Sequence, residues 1–231
     1  MDMDEQLRRV MLRYYDERAP DYEEAYQLGT GTSSISDPEV FQREAGDLAE
    51  IVRRFAHGKV LDLACGTGYW LQFYAEQCSG VTMVDQSENM LAECRKKIDR
   101  FGLADRSTVV RDDVLAWNCT DPSHDCAIVG FLLSHLTDEQ EPRLFDALRS
   151  ALGPNGRFLI LDSAWTDVRS QFNAKIERQE RRLNDGTALD IYKRYVDRSD
   201  ISAWSSKYQV STTIEYFGDA FLAVSGQLMS R

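Results

Sequence analysis

Between Lys59 and Leu161 the chain alternates short apolar runs with amphipathic stretches, and no other feature constrains the fold as much. Strands are expected at Lys59 to Leu63, Gly80 to Val84, Ser107 to Val110, Asp125 to Phe131 and Arg157 to Leu161. Helical patterns fall at Tyr69 to Gln77, Met90 to Arg100 and Glu139 to Leu152. Strands that read as near-continuous apolar runs are buried on both faces. The alternation therefore predicts an α/β fold, with a mostly parallel sheet covered by helices on both sides.

The flanks read differently. Leu7, Val10, Met11, Tyr14 and Tyr15 are spaced for one face of an N-terminal helix, which Ala19-Pro20-Asp21 should interrupt. Leu28 to Ser36 has the composition of a loop, and Asp37-Pro38 starts a helix running to about Phe55. Toward the C-terminus, Asp185-Gly186 between Arg181-Arg182-Leu183 and Leu189 to Lys193 signals a hairpin within an insertion at about 165–197. A short helix is expected from Ser199 or Asp200. Thr212 to Tyr216 and Ala220 to Val224, around Gly218-Asp219, form a C-terminal antiparallel pair.

Composition narrows the function classes. The 231 residues carry 27 basic and 38 acidic side chains, a formal charge of −11 that argues against nucleic acid or anionic lipid as partner. No apolar run approaches the roughly 20 residues that span a bilayer, and the acidic start Met1 to Glu5 lacks the core of a signal peptide. Cysteines 65, 78, 94, 119 and 126 form no C-x-x-C pair. No metal site is expected, and the cytoplasm is the simplest address.

The chemistry is concentrated in Val60-Leu61-Asp62-Leu63-Ala64-Cys65-Gly66-Thr67-Gly68, where a buried strand delivers a carboxylate and then a turn of small residues. A dinucleotide fingerprint would place a third glycine where Leu71 stands, and a pyrophosphate has no use for Asp62. A cationic ligand without phosphate suits an acidic loop better.

This segment resembles the V-L-D-L-G-C-G-T-G motif of the class I S-adenosylmethionine-dependent methyltransferases, with Ala64 at the first loop glycine. That resemblance implies a Rossmann-like fold, a methyltransferase domain over 37–231 and an N-terminal helical lid over 1–36 hinged near residues 29 to 32. It also implies S-adenosylmethionine as cofactor, bound at Asp62, Ala64, Gly66 and Gly68. Val81-Thr82-Met83-Val84-Asp85 is similar to the second-strand motif, so Asp85 would accept the ribose hydroxyls. Gln86 would follow it, and Met90 would pack near adenine. Arg111-Asp112-Asp113-Val114 matches the family's G-D-A segment; Asp112 or Asp113 would face the adenine amino group, and the Val114 backbone the ring edge. Asp125 to Phe131 resembles the fourth-strand motif and places Phe131 beside the transfer site. By analogy with the family's leading helix, Tyr15 or Tyr22 would cover the sulfonium and Arg18 would pair with the methionyl carboxylate.

The implied activity is methyl transfer to an oxygen or nitrogen of a small-molecule acceptor. His135, in Leu132-Leu133-Ser134-His135-Leu136, is the candidate general base, with a purely positioning role as its rival. The charged hairpin, Arg178 to Arg182 through Lys193-Arg194, is an acceptor-side cover or a homodimer contact, its arginines a solvated face or a site for an acidic substrate. Two other functions stay open: a cofactor-binding regulatory subunit without catalysis, and a methyltransferase acting on protein or nucleic acid.

Overall fold

The computed structural model describes residues 3–23, 38–119 and 122–229. The expected loop at 28–36, its hinge and the cap Asp37 lie outside the described residues. Helix α1 (Met3–Arg18) stops where Pro20 forces a single 3-10 turn, Ala19–Asp21. Helix α2 (Pro38–Phe55) buries Phe41, Leu48, Val52 and Phe55, the spacing of one helical face.

Five parallel strands follow: β1 (Gly58–Leu63), β2 (Cys78–Asp85), β3 (Ser107–Arg111), β4 (His124–Gly130) and β5 (Leu152–Ser163). Two more extend the sheet, β9 (Phe221–Leu228) antiparallel to β5 and β8 (Val210–Phe217) antiparallel to β9, giving the order β3-β2-β1-β4-β5-β9-β8. The near-continuous apolar runs have the anticipated cause. Along β4, Cys126 and Ile128 enter the core on one face of the sheet, while Ala127 and Val129 enter the core on the other. Helices α3 (Glu88–Arg100) and α4 (Glu141–Ala151) connect the strands, and Ser87 caps α3 by accepting the Met90 N–H at 3.1 Å. After β5 come the single turn α5 (Asp167–Ser170), the hairpin β6 (Ile176–Arg182) and β7 (Ala188–Arg194), and α6 (Arg198–Tyr208). Asp197, rather than Ser199, caps α6 through a capping box with Asp200.

One expected helix is not a helix. Tyr69 to Gln77 holds only the 3-10 segment Tyr69–Phe73 followed by turns. The stretch is too short to recover the cost of α-helix nucleation, and β2 begins at Cys78. Burial of Trp70, Leu71 and Tyr74 sets its path instead.

Two features position the site. The hairpin is a separate two-stranded sheet whose Ile191 packs with Met11 and Tyr14, so β7 carries α1 on its face. On the other side, the buried Glu44 carboxylate of α2 accepts the backbone N–H groups of Asp219 and Ala220 at 2.9 Å and of Phe221 at 3.0 Å. That pins the β8–β9 turn. Glu44→Gln puts an amide NH2 against a backbone N–H, and should cost about 1–2 kcal/mol. A urea midpoint lowered with unchanged slope is the expected result.

Among the described residues, no helix is long and apolar enough to cross a membrane. Nor is there a cluster of three His, Cys, Asp or Glu able to hold a metal.

Candidate active site

The turn after β1 is wound through left-handed conformations at Ala64 (φ 54°), Gly66 (φ 53°) and Gly68 (φ 71°). Such angles cost an L-residue roughly 1–2 kcal/mol, so Ala64 is a strained residue at the mouth of a cavity. Asp85, at the end of β2, holds the turn in place. One carboxylate oxygen accepts the Gly66 N–H and the other the Ser87 N–H, each at 2.9 Å. Burial pushes the Asp85 carboxyl above the usual carboxylate range, and these backbone donors partly oppose the shift.

Ala64, Gly66, Asp85, Gln86 and Met90 form one wall of a cavity enclosing about 930 Å³ of empty space to its open mouth. Asp113, Val114, Phe131 and His135 also line it. Helix α1 roofs it with Leu7, Arg8, Met11 and Tyr15, and Tyr22 joins them.

The sequence left Asp112 and Asp113 undecided; only Asp113 borders the cavity. Its Oδ1 accepts the Leu115 N–H at 3.1 Å, and its Oδ2 pairs with Arg8. Asp112 turns back and accepts the Asp113 N–H at 2.8 Å.

Asp62 and Gly68 do not border the cavity. Asp62 shares a face of β1 with Val60 and is buried behind the turn, accepting the Tyr74 hydroxyl at 2.9 Å. Its other oxygen has no hydrogen-bond partner, and burial, with Asp85 nearby, raises its carboxyl to about 7. Gly68 serves packing, since a Cβ there would stand 3.1 Å from the Cys94 sulfur.

Arg18 lies elsewhere. It borders a second cavity that shares Tyr15, Tyr22, Phe131 and His135 with the first. Its guanidinium donates to the Tyr14 hydroxyl. Arg169, Arg181 and Lys193 line that cavity as well. Arg181 and Lys193 belong to the charged hairpin that the sequence marks out; Arg169 is not singled out there. Lys193 carried a signal: it sits in strand register with Leu189 and Ile191, so a cation occupies the inward face.

His135 stands in the wall common to both cavities. Its Nδ1 lies 2.9 Å from the Tyr192 carbonyl, which only accepts, so Nδ1 carries the proton. Its Nε2 therefore accepts the Tyr15 hydroxyl at 2.7 Å. Burial, and then the charge of Lys193, lower the imidazole well below its ordinary value. Burial also raises the Tyr15 phenol well above 10. At neutral pH the pair is a neutral imidazole and a protonated phenol.

Residues 60–156 match the family model described as "Methyltransferase domain". The ubiquinone/menaquinone biosynthesis C-methyltransferase UbiE of Paracoccus denitrificans (strain Pd 1222) is 34% identical over 108 residues. That match covers 45% of this chain and 41% of the relative, so the chain spans about two-fifths of the length of the curated relatives it matches. The solved structure described as "DhpI-SAM-HEP complex" is 25% identical, superposes with a TM-score of 0.76, and covers 96% of this chain and 97% of that one. A second, "DhpI-SAH complex structure", is 24% identical with the same TM-score, covering 97% and 98%. The likeness to class I S-adenosylmethionine-dependent methyltransferases holds, and with it the Rossmann-like fold with antiparallel C-terminal strands and an N-terminal helix.

Proposed function

We propose that this chain, a class I methyltransferase by fold and by the domain match over 60–156, moves a methyl group from S-adenosylmethionine to an oxygen of a small-molecule acceptor. The observation that carries the reading is that Asp85 and Gly66 line the same cavity as the His135–Tyr15 pair.

The residues present fit the cofactor. A Cβ on Gly66 would come within 3.8 Å of the Met90 sulfur and 4.0 Å of the Tyr22 ring, filling the cradle the turn leaves open. Each Asp85 oxygen spends one hydrogen bond on the turn and keeps a lone pair for a hydroxyl. Asp113 would take the adenine amino group in exchange for Arg8, and Met90 and Val114 supply an apolar seat for the ring. Once bound, the sulfonium supplies an electrophilic methyl group. The cation suits a cavity whose wall charges, among the described residues, are Asp85, Asp113 and the Arg8 that Asp113 pairs.

The protein's share of catalysis is alignment, water exclusion and a proton acceptor, of which alignment contributes roughly 7–11 kcal/mol in well-oriented systems. His135 receives the acceptor's hydroxyl proton at Nε2, either directly after displacing Tyr15 or through the Tyr15 hydroxyl. The Tyr192 carbonyl holds the ring in the required tautomer.

The name of the UbiE relatives favours a second reading, methylation at carbon. Carbon-13 NMR of product made with methyl-labelled S-adenosylmethionine separates O–CH3 from C–CH3. Residues 1–36 are, on this proposal, a lid over a domain at 37–231, with 165–197 covering the acceptor side; α1 roofing the cavity and packing on β7 supports that division. Five free cysteines, of which four are buried, suit a cytoplasmic setting.

Calorimetric titration tests the cofactor half. S-adenosylmethionine and S-adenosylhomocysteine should bind with micromolar or better affinity; binding of NAD without either of them would overturn the proposal. Release of S-adenosylhomocysteine across a panel of small metabolites decides between an enzyme and a cofactor-binding partner subunit.

A further inference from the structure

Lys193 is a cation in a place that favours a hydrophobe. It shares the inward face of β7 with Leu189 and Ile191, and is only 8% exposed. Its contacts tie three parts of the chain together. The Nζ donates to Ser134 Oγ at 2.6 Å, in the 3-10 turn Leu133–His135 that follows β4, and stands 4.0 Å from the Asp162 Oδ1 of β5. Asp162 accepts the Ser134 N–H at 2.9 Å with its other oxygen. All three groups are buried, Ser134 and Asp162 fully. A buried ion pair adds little to stability over apolar side chains of similar volume, so folding alone does not account for this one.

The next residue of the turn makes a second link. His135 Nδ1 donates to the Tyr192 carbonyl at 2.9 Å. That carbonyl lies on the edge of β7 turned away from β6, because the odd-numbered residues make the bonds within the hairpin, as Thr187 and Tyr195 do at its two ends. Ser134 and His135 are therefore clasped by two successive residues of β7, one through a side chain and one through the backbone. Among the described residues, the ionisable groups around His135 are Tyr15 and Arg18 of α1, Tyr22, Arg181 of β6, Lys193 of β7 and, behind Ser134, Asp162 of β5.

Resting on the reading of His135 as the proton acceptor, we infer that Lys193 is a positioning residue for methyl transfer: through Ser134 it fixes the turn that presents His135, and it keeps a positive charge beside the imidazole. On that reading the cofactor fills the first cavity and the acceptor comes to His135 from the second, which Lys193 lines. Burial first, and Lys193 second, lower the imidazole, with the Tyr192 carbonyl opposing and Arg181 adding to the shift. Burial lowers the Lys193 ammonium itself to about 8, with Asp162 opposing, so the charge is present throughout the acid range in which His135 titrates. One cation disfavours a second beside it, and Nε2 stays unprotonated until a substrate proton arrives.

Two readings on the same variants test this: the pH midpoint of the His135 ring, followed by NMR in the protein without ligand, and the acid limb of kcat/KM. The chain has three histidines, and His135→Ala assigns the resonance. Lys193→Met removes both donor and charge, Lys193→Gln keeps an amide donor for Ser134 and removes only the charge, and Lys193→Arg keeps the charge. Midpoint and acid limb should both rise by about half a pH unit or more in the Met and Gln variants and stay within about 0.2 in Lys193→Arg, the direction expected when a neighbouring cation is withdrawn. Turnover should fall about tenfold in Lys193→Met, with S-adenosylhomocysteine affinity within a few-fold. Should Lys193→Met fail to fold, with Asp162 left unpaired, Lys193→Gln decides by the same readings. A ring midpoint unmoved on loss of the charge, or moved equally in Lys193→Arg, would overturn the role given to Lys193 and leave His135 as the proton acceptor. A ring midpoint that rises while the acid limb stays put would instead overturn His135 as the acceptor.

Discussion

Replacing His135 by alanine should lower turnover by about 100- to 10,000-fold, the usual contribution of a positioned proton acceptor, while cofactor affinity stays within a few-fold. The argument is geometric. The imidazole has its Nδ1 committed to the Tyr192 carbonyl and its Nε2 facing the Tyr15 hydroxyl in the wall between two cavities. Its basicity sets the pH dependence. Burial makes the folded-state value lower than 6.5, so the imidazole is unprotonated and competent at neutral pH. The acid limb of kcat/KM should therefore lie below pH 6.5, where an unperturbed histidine would already have lost half its activity. Tyr15→Phe separates the two proton routes: a fall comparable to that of His135→Ala indicates a relay through the phenol, and a small effect indicates direct transfer. A fully active His135→Ala variant would reduce the residue to a strut between β7 and the loop after β4.

The second large effect is expected at Asp85. Its two oxygens each accept one backbone N–H, so Asp85→Asn can satisfy only one and must turn an NH2 toward the Gly66 or Ser87 N–H. The variant loses a turn contact and the charge-assisted bonds to the ribose together. At about 1.5–3 kcal/mol for a hydrogen bond to a charged group, cofactor affinity should fall by roughly 10- to 150-fold in calorimetry. Stability should fall much less. The folded-state carboxyl titrates above its unfolded value, so its ionisation already opposes folding at neutral pH, and removing the charge relieves that cost. Unchanged affinity would remove Asp85 from the cofactor site.

The residues that sequence could reach and those it could not differ in how far apart in the chain their partners lie. Gly66, Asp85 and Asp113 follow the ends of parallel strands, where an open α/β sheet opens its crevice, and short-range patterning is enough to put them there. Asp62 shares their motif but faces away, because the β1 pleat aims it with Val60 toward Tyr74. Arg181 and Lys193 reach their cavity because the hairpin packs against α1, far away in sequence, and Arg169 because it donates to the Ala164 and Ala220 carbonyls. No local periodicity encodes that docking. The lysine on the inward face of β7 was a legible anomaly whose meaning depended on what packed against it. The 69–77 segment failed for the converse reason: its local pattern was helical, but burial of its aromatic side chains governed the backbone.

Helix α1 supplies residues to both cavities, Arg8 and Met11 to one, Arg18 and Tyr14 to the other, and Tyr15 to each. A rigid rod shared by two sites makes their occupancies interdependent. Whatever shift of α1 one ligand favours is presented ready-made to the second, and the free energy of that coupling has a single value. The factor by which bound cofactor changes affinity for the acceptor must equal the factor by which acceptor changes affinity for the cofactor.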